Sequence, residues 1–155
     1  MESIRLDDAD RRILREIQRE PELTMRDLAD RVGLSHTPCW RRLRRLEEAG
    51  VISAKRHVVD AKAAGFHVTV FCFVKIKEHR REKLREFEAA ARKVPEIIQC
   101  FSISGEYDYV LQVIAHGVDE YEQTVKDSIV ELPNILSINT SFTLNRIKST
   151  LLVPI

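Results

Sequence analysis

The segment formed by residues 24–49 constrains the fold of this 155-residue chain more than any other feature. Apolar residues recur with helical spacing over residues 25–32, Gly33 follows them, and a second helical pattern begins after Ser35. Thr24 and Ser35 are typical N-cap residues, and glycine readily adopts the left-handed conformation that ends many helices. Two short helices joined by a tight turn that contains glycine predict a helix-turn-helix, with an ordinary helical hairpin as the alternative.

The second helix of this pair has an unusual surface, because residues 41–45 contain four arginines. At about 100° per residue, Cys39, Leu43 and Leu46 form one apolar stripe, and most of the arginines fall on the opposite face. Neighbouring arginines repel one another in water, whereas DNA phosphates remove that repulsion and guanine edges accept bidentate hydrogen bonds. We therefore expect this helix to lie in the major groove of double-stranded DNA. The residues expected to contact DNA are Ser35, His36, Thr37, Trp40, Arg41, Arg44 and Arg45.

Trp40 permits two interpretations. It borders the apolar stripe, which favours packing in the core of the helical domain, and this is the role we assign to it first. A contact at the edge of the DNA groove is the second.

The charges of the chain are unevenly distributed, although its formal net charge is only +1. Residues 36–57 contain six basic and two acidic side chains, and acidic residues are concentrated before this stretch. A chain that is neutral overall but locally +4 has a directed basic face, which favours a polyanionic partner.

A further amphipathic helix precedes the helix-turn-helix. Asp7 can cap it, Asp10 lies in its first turn, and Pro21 ends it. We predict a three-helix DNA-binding domain at residues 1–50, followed by an extended hinge strand and linker at residues 51–65.

Residues 66–155 alternate between strand and helix patterns. The run from residue 68 to residue 76 alternates with period two and is rich in β-branched residues, which is typical of a strand. The whole order is β-α-β-β-α-β, the split βαβ or ferredoxin-like motif. We predict an α+β protein whose second domain has a four-stranded antiparallel sheet with both helices on one face. The side chains expected to point inward from the last strand are Leu136, Ile138, Phe142 and Leu144.

The other face of this sheet also carries apolar residues, among them Phe71 and Phe73. An exposed apolar patch of this size is unusual on a monomer, so we expect a symmetric homodimer formed through the sheets or their edges.

Catalytic and metal-binding patterns are not evident in the sequence. The five histidines and three cysteines are scattered, and we find no nucleophile–base pair, phosphate loop or metal-ligand spacing. We expect no enzymatic activity, no cofactor and no bound metal. Neither a signal peptide at residues 1–10 nor a membrane-spanning apolar run is evident, so we expect a cytoplasmic protein with no membrane partner.

Four segments together resemble the Lrp/AsnC family of bacterial and archaeal transcription regulators, also called feast/famine proteins. They are Asp10–Leu14, Leu28–Leu34, Ser35–Leu46 and Ser104–Tyr109, and the likeness covers essentially the whole chain. The resemblance implies that the second domain, which is akin to the ACT domain, binds an amino-acid effector between subunits. It also implies a dimer, often one of four dimers that form an octameric ring with DNA wound outside.

The effector residues that the resemblance implies lie in the turn after the second strand, before the second helix of that domain, and on the last strand. They are Ile103, Ser104, Gly105, Tyr107, Asp108, Val118, Thr140, Ser141 and Phe142. Gly105 would let backbone amides approach a carboxylate, and Asp108 could accept an ammonium group. Without the resemblance, a plain hairpin turn is the preferred explanation of these turn residues.

We therefore predict a sequence-specific DNA-binding regulator whose DNA binding or assembly responds to an amino acid. An architectural DNA-compacting protein without an effector is the alternative, because it would share every N-terminal feature. The sequence leaves open the target genes, activation or repression, and dimer or octamer. The resemblance implies cysteine and the branched-chain amino acids as candidate effectors.

Overall fold

The computed structural model describes residues 4–53 and 57–155, which divide into two units. The first unit combines the N-terminal part of the chain, up to His57, with Lys148–Ile155, and the second is Val58–Ile147. Residues 54–56 of the expected hinge lie outside the described residues.

The first unit contains the three predicted helices, and local capping explains where two of them begin. The Asp7 carboxylate accepts the N–H of Asp10, while the Asp10 carboxylate accepts the N–H of Asp7. Thr24 caps the second helix through the N–H of Asp27, and Gly33 ends it with a φ of 69°. The helices are α1 (Asp8–Arg19), α2 (Met25–Val32) and α3 (His36–Glu48).

The expectation that the Ser35 side chain caps α3 is wrong. Ser35 has the extended backbone of an N-cap residue, but its hydroxyl makes no capping hydrogen bond. A capping side chain accepts an N–H from the second or third residue of the helix, and the third residue here is Pro38, which has no N–H.

The core of the first unit lies between the three helices. Cys39 and Leu46 of α3 are fully buried and Leu43 is half-buried, as the apolar stripe predicts. Trp40 is 47% exposed, so the interpretation of its ring as part of the core is wrong. The buried residues of this core are Ile13, Leu14, Leu28, Ala29, Val32, Cys39 and Leu46.

The last residues of the chain, which we predict as part of residues 66–155, pack on α1 of the first unit. Ile155 packs against the helical core, and its carbonyl oxygen accepts a hydrogen bond from Arg15 Nε at 2.8 Å. Gln18 makes two hydrogen bonds to the backbone of Val153, at 2.7 and 3.3 Å. The tail is held by hydrogen bonds to side chains of α1. It has no helical or strand periodicity from which the sequence could predict this docking.

The second unit is the predicted ferredoxin-like fold. Its sheet has the order β2-β3-β1-β4, and every neighbouring pair of strands is antiparallel. After α5 the chain continues as a π-helical turn over Val125–Ile129. The elements are β1 (Val68–Ile76), α4 (Arg81–Ala91), β2 (Ile97–Ser102), β3 (Tyr109–Ala115), α5 (Val118–Thr124) and β4 (Ile135–Phe142).

Both helices cover the same face of this sheet. Alternate residues of β1 and β3 are buried on that face, together with Phe87 of α4 and Ile129 after α5. The opposite face carries Phe71, which is 37% exposed, and Phe101, which is 53% exposed. Within the described residues of this unit, α4 and α5 bury one face of the sheet and leave the other face, with its aromatic side chains, uncovered.

Two of the four side chains expected to point inward from β4 do not. Leu136 is 61% exposed, because a bulge pairs Ser137 with Lys75 and Ile135 with Ile76 and leaves Leu136 between them. Leu144 is fully exposed, since β4 has ended before it.

Candidate DNA interface and effector site

The side chains expected to contact DNA share one exposed surface of the first unit. The apolar stripe of α3 faces the core, so the remainder of the helix and its preceding residue face solvent. The exposed residues are Ser35, His36, Thr37, Trp40, Arg41, Arg44 and Arg45.

Arg44 and Trp40 form one small cluster on this surface. The Arg44 guanidinium lies 5.8 Å from the centre of the Trp40 ring, and its Nη1 donates to Glu47 Oε2 at 3.2 Å. Both contacts are exposed, and exposed cation–π and ion pairs contribute little stability. Arg44 can therefore exchange them for a DNA phosphate or base edge at small cost.

A second cluster, which the sequence pattern does not predict, pairs two arginines of α3 with the start of α1. Arg42 Nη1 donates to Asp7 Oδ2 at 2.6 Å and to Asp10 Oδ1 at 2.9 Å. Arg45 Nη2 donates to the other carboxylate oxygen of Asp10. The pKa of Asp7 is lowered to about 2, chiefly because its carboxylate accepts the N–H of Asp10 and then because of Arg42. Among the described residues, Arg41 has no such acidic partner.

In the second unit, the turn between β2 and β3 is held firmly against β1. The Asp108 carbonyl oxygen accepts the N–H of Ile103, and the Asp108 N–H donates to the Val74 carbonyl oxygen, both at 2.9 Å. Gly105 takes a φ of 119°, which side-chain-bearing residues rarely adopt. The Tyr107 ring lies 5.4 Å from the ring of Phe73. The turn residues Ile103, Ser104, Gly105, Tyr107 and Asp108 are thus brought together.

The Asp108 carboxylate already has two partners within the chain. Oδ2 accepts the N–H of Ile76 at 2.8 Å, and Oδ1 lies 2.7 Å from His79 Nε2. The Ile76 amide, followed by His79, lowers the pKa of Asp108 below its ordinary value of 3.8. An ammonium group at this carboxylate would therefore share it with His79, a residue that sequence analysis did not single out.

We expect the ionised Asp108 to make the stability of the second unit pH-dependent. Its folded pKa is lowered, so its contribution is fully present above the unfolded value of 3.8 and is lost as pH falls through the folded pKa. Urea unfolding followed from about pH 6 to pH 3 should show a smaller acid loss of stability for Asp108→Asn than for the unchanged chain. Parallel acid losses would contradict this assignment, and Glu106→Gln, in the same turn between β2 and β3, is the control.

The remaining effector residues lie elsewhere in the unit. Thr140 Oγ1 is 3.1 Å from Tyr121 Oη, which is 3.2 Å from Cys72 Sγ, and the Phe142 ring packs edge-on against Tyr121. Val118 is 57% exposed at the start of α5. Ser141 alternates with its two neighbours on β4 and therefore faces the uncovered side of the sheet.

The effector residues therefore fall into two groups at opposite ends of the sheet. Phe142 pairs with Val70 of β1, whereas Tyr109, next to the turn, pairs with Val74. Four residues of strand separate these positions, or roughly 13 Å at about 3.3 Å per residue. One chain does not assemble the whole set around one ligand.

Comparison with known proteins identifies both units. The model of the Lrp/AsnC ligand-binding domain matches residues 69–153, and that of a winged helix-turn-helix DNA-binding domain matches residues 6–53. The chain belongs to the Lrp/AsnC family. It is therefore a DNA-binding transcriptional regulator with a ligand-binding domain, in a family that is not enzymatic. Within residues 4–53 and 57–155, no helix combines the length and apolar content needed to cross a membrane.

Relatives and solved structures match this regulator over nearly its full length. The leucine-responsive regulatory protein of Rhizobium meliloti is 35% identical over 152 residues, covering 98% of this chain and 97% of the relative. The DNA-binding transcriptional activator DecR of Escherichia coli is 32% identical, covering 97% of this chain and 99% of the relative. A transcriptional regulator from Neisseria meningitidis, solved as a complex with L-Met, superposes with a TM-score of 0.90 at 32% identity and 97% coverage of both chains. An AsnC-family regulator from Agrobacterium tumefaciens gives 0.91 at 35% identity, with 96% and 97% of the two chains covered.

Proposed function

We propose that this regulator binds specific DNA sequences through α3, and that an amino acid bound between subunits changes its DNA binding or its assembly. The observation that carries the proposal is the division of α3 into a buried apolar stripe and one exposed basic surface. The stripe fixes the orientation of the helix, and the surface is left available to a polyanion.

The start of α3 supports a contact with the DNA backbone. The N-terminal amides of a helix lack partners within it, and the Ser35 hydroxyl does not satisfy them. They can therefore bind a phosphate, assisted by the helix dipole, beside His36 and Thr37. Trp40, Arg41, Arg44 and Arg45 continue this surface along the groove, where arginine can donate two hydrogen bonds to guanine.

The effector assignment is supported by the chemistry of the turn and by a solved relative. The Neisseria meningitidis regulator was solved with L-Met, an amino acid that carries one carboxylate and one ammonium group. The backbone around Gly105 offers amides to a carboxylate, and the fixed Asp108 carboxylate offers an acceptor to the ammonium group. A second subunit would bring Val118, Thr140, Ser141 and Phe142 towards this turn, which one chain does not do.

Self-association is supported by the uncovered sheet face. Phe71 and Phe101 leave aromatic surface in water, and a second copy packed through the same face would bury both sets in a two-fold interface. We propose a homodimer through this face, which can assemble further into an octamer.

A thermal-shift screen of the full chain against the common amino acids tests the effector. A ligand that binds only the folded state raises the apparent stability by about 2.7 kcal/mol at a hundredfold excess over its Kd. We expect one L-amino acid to raise the unfolding temperature and to change the DNA affinity at the same concentration, while its D-enantiomer does neither. No response to any of them would favour the architectural alternative without an effector.

A further inference from the structure

Asp10 is a carboxylate with no exposed surface, although it lies in the first turn of a surface helix. Burying a charge is costly unless hydrogen-bonding or charged partners compensate it. Its compensation comes from the N–H of Asp7 and from two arginines of α3, Arg42 and Arg45. A carboxylate that only capped α1 would not need these two arginines.

The two arginines stand three residues apart on α3, a spacing that places them on the same side of a helix. Asp10 binds one of them with each of its carboxylate oxygens, and Asp7 adds a second contact to Arg42. These two acids and two bases sum to no net charge. Arg42 and Arg45 are therefore balanced by Asp7 and Asp10, whereas Arg41 and Arg44 remain for non-specific attraction to phosphates, because the ion pair of Arg44 with Glu47 is exposed.

The same contacts fix the direction of Arg45. One terminal nitrogen is held by Asp10, while 47% of the Arg45 side chain remains exposed. A guanidinium group has five N–H donors in a rigid plane, so anchoring one nitrogen orients those that stay exposed. Arg45 can then present donors to a base edge with little loss of side-chain entropy.

We infer that Asp10 is a positioning residue for DNA recognition, an inference that rests on the proposed role of α3. It withholds Arg42 and Arg45 from indiscriminate phosphate binding and holds Arg45 in an orientation suited to reading a base. Asp10 thereby raises the ratio of specific to non-specific DNA affinity rather than DNA affinity as a whole.

The test compares Asp10→Asn with Asp8→Asn in the full chain, using fluorescence anisotropy on preferred and random duplexes over a range of salt concentrations. Asp8 lies in the same helical turn, and its substitution removes the same charge. Among the described residues, no arginine pairs with Asp8. For Asp10→Asn on random DNA, we expect log K to fall more steeply with log salt, by about 0.9 for each released arginine that reaches a phosphate. The specificity ratio should fall roughly tenfold, as expected when one arginine loses its fixed approach to a base.

A purely structural role for Asp10 would not steepen the salt dependence. If Asp10→Asn and Asp8→Asn give the same slope and the same specificity ratio, the inference is overturned. If Asp10→Asn does not fold, a comparison of the salt dependence of Arg42→Gln with that of Arg41→Gln still tests the inference. We expect Arg41→Gln to reduce the slope by about 0.9 per subunit and Arg42→Gln to leave it unchanged. Equal reductions would overturn the inference.

DNA binding by the chain without substitutions distinguishes a failure of this inference from a failure of the proposed function. If this chain prefers no DNA sequence, the proposed role of α3 fails. If it does prefer one while Asp10→Asn behaves like Asp8→Asn, only the role of Asp10 fails.

Discussion

Replacing Arg41 and Arg44 together by alanine is expected to lower the affinity of the regulator for its preferred DNA at least about 100-fold. Each arginine contact to a base or phosphate is worth roughly 1–3 kcal/mol, and each subunit loses two of them. Arg41 has no acidic partner among the described residues, and the contacts of Arg44 with Glu47 and Trp40 are exposed. Little intramolecular stability is lost with them, so the effect should fall on DNA binding and not on folding.

Anisotropy titrations over a range of salt concentrations would measure this loss, with urea unfolding as the check on stability. Arg81→Ala combined with Arg85→Ala is the matched control, because it removes the same charge from the exposed surface of α4 in the other unit. Equal losses of affinity in the two double variants would show that net charge, and not α3, governs binding. An unchanged affinity in the α3 variant would contradict the assignment of the DNA-contacting surface.

Substituting lysine for both Phe71 and Phe101 is expected to separate the subunits and to abolish tight DNA binding. Both rings lie on the uncovered sheet face, away from the core under α4 and α5, so lysine is tolerated in a single subunit. At a two-fold interface the substitution would bury four unpaired ammonium groups, which is strongly unfavourable. Two linked subunits bind adjacent half-sites at a millimolar effective concentration, and this advantage is lost in a monomer.

Sedimentation velocity would report the change of mass, and anisotropy the loss of DNA affinity, which we expect to exceed about 100-fold. Val130→Lys is the control, since Val130 is 54% exposed after the π-helical turn and does not lie on the sheet. A variant that sediments like the unchanged chain would contradict dimerisation through this face.

The sequence predicts well those features that depend on neighbouring residues. The capping by Asp7 and Thr24 and the left-handed Gly33 each involve at most a few consecutive residues, so they define the helix-turn-helix without tertiary information. Alternation of apolar residues likewise predicts β1 and β3. The Ser35 side chain makes no cap, and Pro38 removes one of the two N–H donors that such a cap uses.

Contacts between distant residues were not predictable in the same way. Arg45 and Asp10 are 35 residues apart, and Ile155 reaches Arg15 across 140 residues. Such pairs follow from how the helices and the tail pack, which no local pattern encodes. Arg45, which the sequence predicts to be available to DNA, therefore has an acidic partner in the structure.

The effector site likewise combines features that neighbouring residues predict with features that depend on distant contacts. The unusual backbone of the turn at Gly105 is signalled locally by glycine, whereas the occupation of Asp108 by Ile76 and His79 depends on how the turn meets β1. The separation of the turn from Phe142 follows from strand register, and the bulge at Leu136 shows that register is not readable from alternation alone.

Selection of binding sites from random double-stranded DNA by the full chain tests the central claim most directly. The account predicts enrichment of one sequence with two related half-sites, separated by one or more helical turns of about 10 base pairs, as a two-fold dimer with paired recognition helices requires. Sequencing that shows no enriched sequence would contradict the account and would identify an architectural DNA-compacting protein instead.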